Sequence, residues 1–279
     1  KIIDFVGGED DMQHRIIKAI GNPYDRIGED RLRMLRAIRF AARFEFSIEA
    51  ETGNAIREHA EELVGISRER IGEEIRKMLT NQNRGVAAWE IQYLGLDRIL
   101  FAEESCMNAP TRLGRLPSSA SYATALAAWI FDRHTSNADL YEIAAKWRVQ
   151  LLLSNRTFDE LNEILTLHQQ LYTWSTLGTA KQKRTVDSDQ FFSALSIIQC
   201  EDRAMFVDIR RCISILEKTG ISPNRLINGN DLLDAGVPPA ETLGDVLEAV
   251  YDAQLEGAIG SKDEALNLAL AIYKDFQDS

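Results

Sequence analysis

The chain has 279 residues, 45% of them apolar, and a formal net charge of −11. That is enough apolar material for one large domain or two to three small ones. No apolar run reaches the ~18 to 20 residues of a membrane span and the start at Lys1 has no signal-peptide layout, so the expectation is a cytoplasmic protein with no membrane partner. The acidity argues against a uniformly basic nucleic-acid surface, but it is uneven. Residues 1 to 84 carry 15 Lys and Arg against 16 Asp and Glu, and the remainder 17 against 27.

In chain order, Ile2 to Val6 is a short β-branched run ending in Gly7-Gly8, which reads as the last strand of something that begins earlier. A helix is expected from about Asp10 to Ile20, stopped by Gly21-Asn22-Pro23, and a longer one opens at Gly28-Glu29-Asp30. Ser67 to Leu79 reads as a helix with Ser67 as N-cap, but Arg70 stands where a capping box would place Glu. Helical spacing continues through Tyr122 to Phe131, Leu140 to Trp147 and Phe158 to Tyr172, and Ser261-Lys262-Asp263-Glu264 is a capping box opening a last helix. Pro110 to Ser119 and Gly220 to Pro223 are the candidate internal boundaries. The architecture predicted is all-α.

Chemistry concentrates in Glu29-Asp30-Arg31-Leu32-Arg33-Met34-Leu35-Arg36-Ala37-Ile38-Arg39-Phe40-Ala41-Ala42-Arg43-Phe44. On one continuous helix Leu35, Ile38 and Ala42 share a face, and Glu29, Arg33, Arg36 and Arg43 lie on another. Glu29 and Asp30 stand at i,i+4 and i,i+3 from Arg33, so both carboxylates can pin its guanidinium. A pinned Arg beside an Asp offers donors and acceptors that match a nucleobase edge, and Arg36, Arg39 and Arg43 supply charge for phosphates. An exposed helix with ordinary ion pairs has the same spacing.

Other groups carry less. Cys106, Cys200 and Cys212 lack metal or disulfide spacing and read as small buried hydrophobes. His14, His59, His134 and His168 form no ligand pair, and Glu9-Asp10-Asp11 is a weak metal candidate. Lys181-Gln182-Lys183-Arg184 near Tyr172 and Trp174 reads as a solvated loop, with RNA contact as the alternative. Trp89, Tyr93, Trp129 and Trp147 read as core.

Glu29-Asp30-x-x-Arg33 with its following arginine helix resembles the E-D-x-x-R element of the class II CCA-adding enzyme and bacterial poly(A) polymerase family. Asp4-Phe5-Val6-Gly7-Gly8-Glu9-Asp10-Asp11 is similar to that family's D-x-x-G-G-x-x-D element, and Ser67 to Glu74 to its neck-stabilising element. Asn228 to Leu233 and Tyr251 to Gly257 are similar to its C-terminal segment. The resemblance is strong over residues 1 to 84, moderate over 223 to 275 and faint between.

The resemblance implies a multi-helix neck, body and tail with a short remnant of a β-containing nucleotidyltransferase head. Residues 1–27 would be the end of the head and its hinge, 28–110 the nucleotide-selecting neck, 111–220 the body and 221–279 the tail. Asp30 and Arg33 would contact the base, Glu29 would orient Arg33, and Arg36 would help hold the nucleotide. Asp4, Gly7, Gly8 and Asp11 would be head–neck hinge positions. The substrates implied are a nucleoside triphosphate, ATP with CTP as a second candidate, and an RNA 3′ end, tRNA first; oligomeric state stays open. The head's paired Asp motif for two Mg²⁺ ions has no counterpart here, so no catalytic or metal-binding residue is assigned, and the chain by itself is expected to be inactive.

Overall fold

The computed structural model describes residues 3–134, 138–239 and 242–277. Among the described residues the fold is all-α apart from two two-residue strands. The first helices are α1 (Gly8–Gln13), α2 (Pro23–Glu29), α3 (Arg33–Phe44), α4 (Ala50–Glu58), α5 (Arg68–Leu79) and α6 (Arg84–Tyr93). There follow α7 (Asp97–Phe101), α8 (Thr111–Arg115), α9 (Tyr122–Arg133), α10 (Leu140–Leu151), α11 (Asn155–Leu171) and α12 (Thr179–Val186). The last are α13 (Phe191–Glu201), α14 (Arg203–Leu216), α15 (Gly229–Asp234), α16 (Leu243–Glu256) and α17 (Lys262–Gln277). Strands β1 (Ile16–Ile17) and β2 (Ser47–Ile48) pair in parallel. None of the described helices is long and apolar enough to cross a membrane.

Two compact units result: the described residues up to His168 with Ser193–Arg203, and Gln169–Phe192 with the described residues from Ala204 onward. In the first, α3 packs on α5 and α6, and α5 on α10. Its aromatic centre is a stack of Phe101 on Trp147 at 3.9 Å with Trp129 edge-on to both. Trp129 and Trp147 are fully buried, as their helical spacing suggested. Each indole N–H has an acceptor, Gln92 Oε1 at 3.0 Å and Glu103 Oε1 at 2.9 Å, so burial leaves neither donor stranded. The second unit has its own small core from Ile227, Leu232, Val237, Val246, Val250 and Ala265. Its α17 opens on the expected capping box, with Ser261 Oγ accepting from Glu264 N and Glu264 from Ser261 N.

Several expectations are corrected. Ile3–Val6 is not a strand; Ile3, Phe5 and Val6 are exposed, and Ile2 lies outside the described residues. The helix expected through Ile20 stops at Gln13, because Arg15 turns left-handed (φ 56°) and the β-branched Ile16-Ile17 pairs with β2. Trp89 is half-buried and Tyr93 exposed, stacked on each other on the outside of α6 while Ala87, Ala88 and Ile91 take the core. Lys181–Arg184 belongs to α12, where Lys183 is buried and Arg184 bonds Glu248 and Asp252 of α16. The cysteines are half-buried, not buried. His59, His134 and His168 face Glu62, Glu103 and Glu201, and His14 is exposed.

Candidate functional site

The E-D-x-x-R segment is an elbow between two helices, not one helix. Helix α2 starts with Pro23 at N1 behind an Asn22 cap and ends at Glu29. Asp30 is extended (φ −148°, ψ 101°), and its Oδ1 accepts from Leu32 N at 3.2 Å, an Asx-type turn that competes with helix continuation. Leu32, 2% exposed, anchors the bend, and α3 begins at Arg33. From there the predicted faces hold: Leu35, Ile38 and Ala42 are buried, and Arg36 and Arg43 are exposed.

Glu29 orients Arg33 across this elbow. Arg33 Nη1 donates to Glu29 Oε2 and to the Arg26 carbonyl, both at 3.1 Å. Arg26 donates to both oxygens of the same carboxylate at 3.0 and 3.1 Å. The hydrogen bond from Arg26 leads the causes that hold the Glu29 carboxyl below its ordinary range, with the charge of Arg33 adding to it. Arg33 keeps Nε and Nη2 without a partner among the described residues. A fork fixed through one nitrogen retains donors for a planar ligand.

Asp30 does not share in pinning Arg33, because the extended backbone turns its side chain elsewhere. It takes Arg70 Nη2 of α5 at 3.4 Å to each oxygen, and Arg36 Nη1 at 3.8 Å. Ser67 makes no side-chain cap, and the residue three positions on is instead committed to Asp30. Arg26 and Arg70 were not assigned from sequence; Arg26 had a signal, its i,i+3 spacing to Glu29, whereas the Arg70 contact spans forty positions.

A cavity of about 440 Å³ opens beside the elbow, with Ile17, Lys18, Arg26, Arg33, Arg36 and Phe40 among its lining. Thr52 and Ile56 of α4 close it further. Apolar walls with three arginines and a lysine at the rim suit a flat, apolar-bodied anion such as a nucleotide. Phe40 joins Arg33 and Arg36 on one face of α3, whereas Lys18, Thr52 and Ile56 are brought in by tertiary convergence that the segment's own spacing does not reveal.

The D-x-x-G-G segment builds a local turn. Asp4 accepts from Val6 N at 3.0 Å and from Glu9 N at 2.8 Å, and these bonds hold its carboxyl below the usual range. Gly7 sits in the left-handed region (φ 78°), which favours glycine, and its carbonyl receives Asp11 N at 3.0 Å. Asp4 is thus spent on backbone donors. Among the described residues no three carboxylate, imidazole or thiolate groups converge as metal ligands.

Comparison with known proteins supplies the decision. Residues 45–103 match the family described as "Probable RNA and SrmB-binding site of polymerase A". The CCA-adding enzyme of Lacticaseibacillus paracasei is 28% identical over 274 residues, covering 92% of this chain and 63% of the relative. That of Lactiplantibacillus plantarum is 30% identical over 281 residues, covering 95% and 65%. Over nearly its whole length the chain is similar to class II tRNA nucleotidyltransferases. The crystal structure of the Bacillus stearothermophilus CCA-adding enzyme in complex with CTP shares the fold, with a TM-score of 0.75 at 21% identity over 99% of this chain and 70% of that one. The chain therefore spans just under two thirds of the length of these two curated nucleotidyltransferase relatives. The stretch matched by the RNA-binding family runs from the end of α3 through α7.

Proposed function

We propose that this chain is the nucleotide-selecting and RNA-holding portion of an enzyme that adds A, and C with it, to RNA 3′ ends, with tRNA CCA-end synthesis or repair as the process. The observation that carries the reading is Arg33, clamped by Glu29 at the rim of a nucleotide-sized cavity that Arg26, Arg36 and Phe40 also line. Arg33 presents its remaining donors to the base, Glu29 fixes the fork, and Arg36 attracts the phosphates. Asp30 acts on the base through its position between Arg36 and Arg70. The relatives' name, CCA-adding enzyme, supports C and A as the nucleotides added, and solved CCA-adding enzymes in complex with ATP, with CTP and with tRNA support those substrates and that acceptor. Residues 1–27 serve as the hinge to a head, with Asp4, Gly7, Gly8 and Asp11 shaping it. Among the described residues no group of metal ligands converges; on this reading nucleotidyl transfer uses Mg²⁺ held by a head domain, and the chain by itself is expected to be inactive.

The test is a denaturing-gel product ladder from the parent protein with Mg²⁺, a tRNA lacking its 3′ CCA, and labelled ATP or CTP supplied singly and together. A stop after one to three additions supports the reading. A long A ladder would favour the poly(A) polymerase alternative, which the matched polymerase A family keeps open. With Arg33→Ala, base choice should relax more than RNA affinity falls; equal loss for every nucleotide together with lost RNA binding counts against the assigned role. No extension under any condition would leave a helical RNA-binding protein.

A further inference from the structure

The solvent face of α3 continues past the nucleotide cavity. At helical spacing after Arg33 and Arg36 come Phe40, 37% exposed, then Arg43 and Phe44, the latter 51% exposed. The two rings lie nearly parallel, 9° apart with centroids at 6.1 Å, and Arg39 and Arg43 stand over Phe40 and Phe44 at 4.1 and 5.7 Å. No acidic residue interrupts the strip between Arg33 and Phe44. Arg39 is tied to Glu74 at 2.6 Å, whereas Arg43 has no carboxylate partner among the described residues. Beside it a second hollow, about 400 Å³, is lined by Arg39, Arg43, Lys77, Thr80 and Asn81. Lys77 there is shared with Glu73 and Glu74, so Arg43 is the cation with most charge left to offer.

Exposed aromatic rings alternating with arginines are the arrangement that binds single-stranded nucleic acid, the rings stacking bases and the cations tracking phosphates. An apolar protein contact would not need the arginines, and a duplex would have no free base faces to offer the rings. We infer that Phe40, Arg43 and Phe44 form a stacking strip for the unpaired 3′ end of the acceptor RNA, leading it along α3 to the nucleotide cavity. Phe40 belongs to both sites: it walls the cavity and begins the strip. The inference rests on the reading of the cavity as a nucleotide site, and it extends that reading to the second substrate.

Phe44 lies outside the cavity lining, so its loss separates the two. Fluorescence anisotropy would compare the chain's binding of two labelled acceptor-stem minihelices, one with a three-nucleotide single-stranded 3′ overhang and one blunt. Phe44→Ala should weaken the overhang form by about tenfold, the scale of one lost base–aromatic stack, leave the blunt form unchanged, and be rescued by Phe44→Trp. Arg43→Gln should reduce the slope of log affinity against log salt by about 0.7, the contribution of one single-strand phosphate contact. Circular dichroism melting would confirm that these exposed positions leave the fold intact.

Equal weakening of both minihelices, no effect of Phe44→Ala, or no binding of either RNA would overturn the strip. So would a loss seen with Tyr93→Ala but not Phe44→Ala, which would move the RNA to the outside of α6. If Phe44→Ala instead abolished self-association in sedimentation, the face would be a protein contact. Failure of the cavity reading would be seen separately, as unchanged base choice in the parent enzyme with Arg33→Ala.

Discussion

Arg70 and Asp30, forty positions apart, meet with Nη2 at 3.4 Å from each carboxylate oxygen, tying α5 to the bend between α2 and α3. Because both side chains are partly exposed, the pair contributes less than about 1 kcal/mol to stability. Its larger effect is on placement, since Asp30 also faces Arg36 of the cavity rim. Arg70→Ala should leave the melting temperature nearly unchanged while lowering kcat/KM of the parent enzyme on the order of 10-fold or more, the sensitivity of reacting groups to small misplacements. Steady-state kinetics with ATP and CTP, beside a thermal melt, would check it; a large drop in melting temperature would make the pair a stability element instead.

Helix α5 approaches α10 through Gly72. A Cβ built there would lie 2.3 Å from the Leu151 carbonyl oxygen, backbone that cannot swing aside. Gly72→Ala should therefore cost about 1 to 3 kcal/mol from overpacking, despite alanine's better helix propensity. Urea unfolding measures this directly, and stabilisation would mean that α5 and α10 are free to separate.

How much of this could be read from sequence differs by physical cause. The two faces of α3 were legible because buried Leu35, Ile38 and Ala42 and exposed Arg36 and Arg43 follow the 3.6-residue period. The break after Glu29 was not, since nothing in Glu29-Asp30-Arg31-Leu32 forbids a helix; the Asp30 side chain accepting from Leu32 N and the burial of Leu32 decide it. Glu29 reaches Arg33 either way, because the elbow keeps them within one turn of each other. Asp30 with Arg70, and Lys18 and Thr52 in the cavity wall, depend on packing between distant segments, to which spacing is blind. For Trp89 and Tyr93, periodicity correctly put both on one face of α6 but could not say which face is inside. Small Ala87 and Ala88 allow close helix approach there, leaving the large rings outside.

Arg133 and Asp97 are a fully desolvated pair, 2% and 0% exposed, with Nη1 to Oδ2 at 2.9 Å. Asp97 also accepts from Ser105 Oγ and Cys106 N, so its charge is satisfied only as a set. Removing one partner strands the other charge, and Arg133→Ala should cost about 3 to 5 kcal/mol in urea unfolding. Replacing the pair together, Arg133→Met with Asp97→Leu, should recover part of that loss; a double variant no better than Arg133→Ala would show that the remaining hydrogen bonds of Asp97 matter more than the charge.

Glu103 makes the same region pH-sensitive. Burial pushes its carboxyl up, but the His134 ring, with Nε2 3.3 Å from Oε2, the hydrogen bond from Trp147 Nε1 and the charge of Arg133 together outweigh this and hold it below its ordinary value of 4.5. A carboxyl lowered in the folded state contributes stability that is fully present above the unfolded value and is lost as pH falls through the folded one. Unfolding free energy should therefore fall in the window below about pH 4.5, as the folded Glu103 takes up a proton. Glu103→Gln should be less stable at pH 7 but show a shallower decline below pH 4.5. Because Trp147 donates directly to this carboxylate, its fluorescence should change over the same window in the native protein and not in the Gln variant. Parallel acid titrations of the two proteins, followed by tryptophan emission and by urea midpoint, decide the matter: superimposable curves would assign the acid sensitivity to other carboxylates.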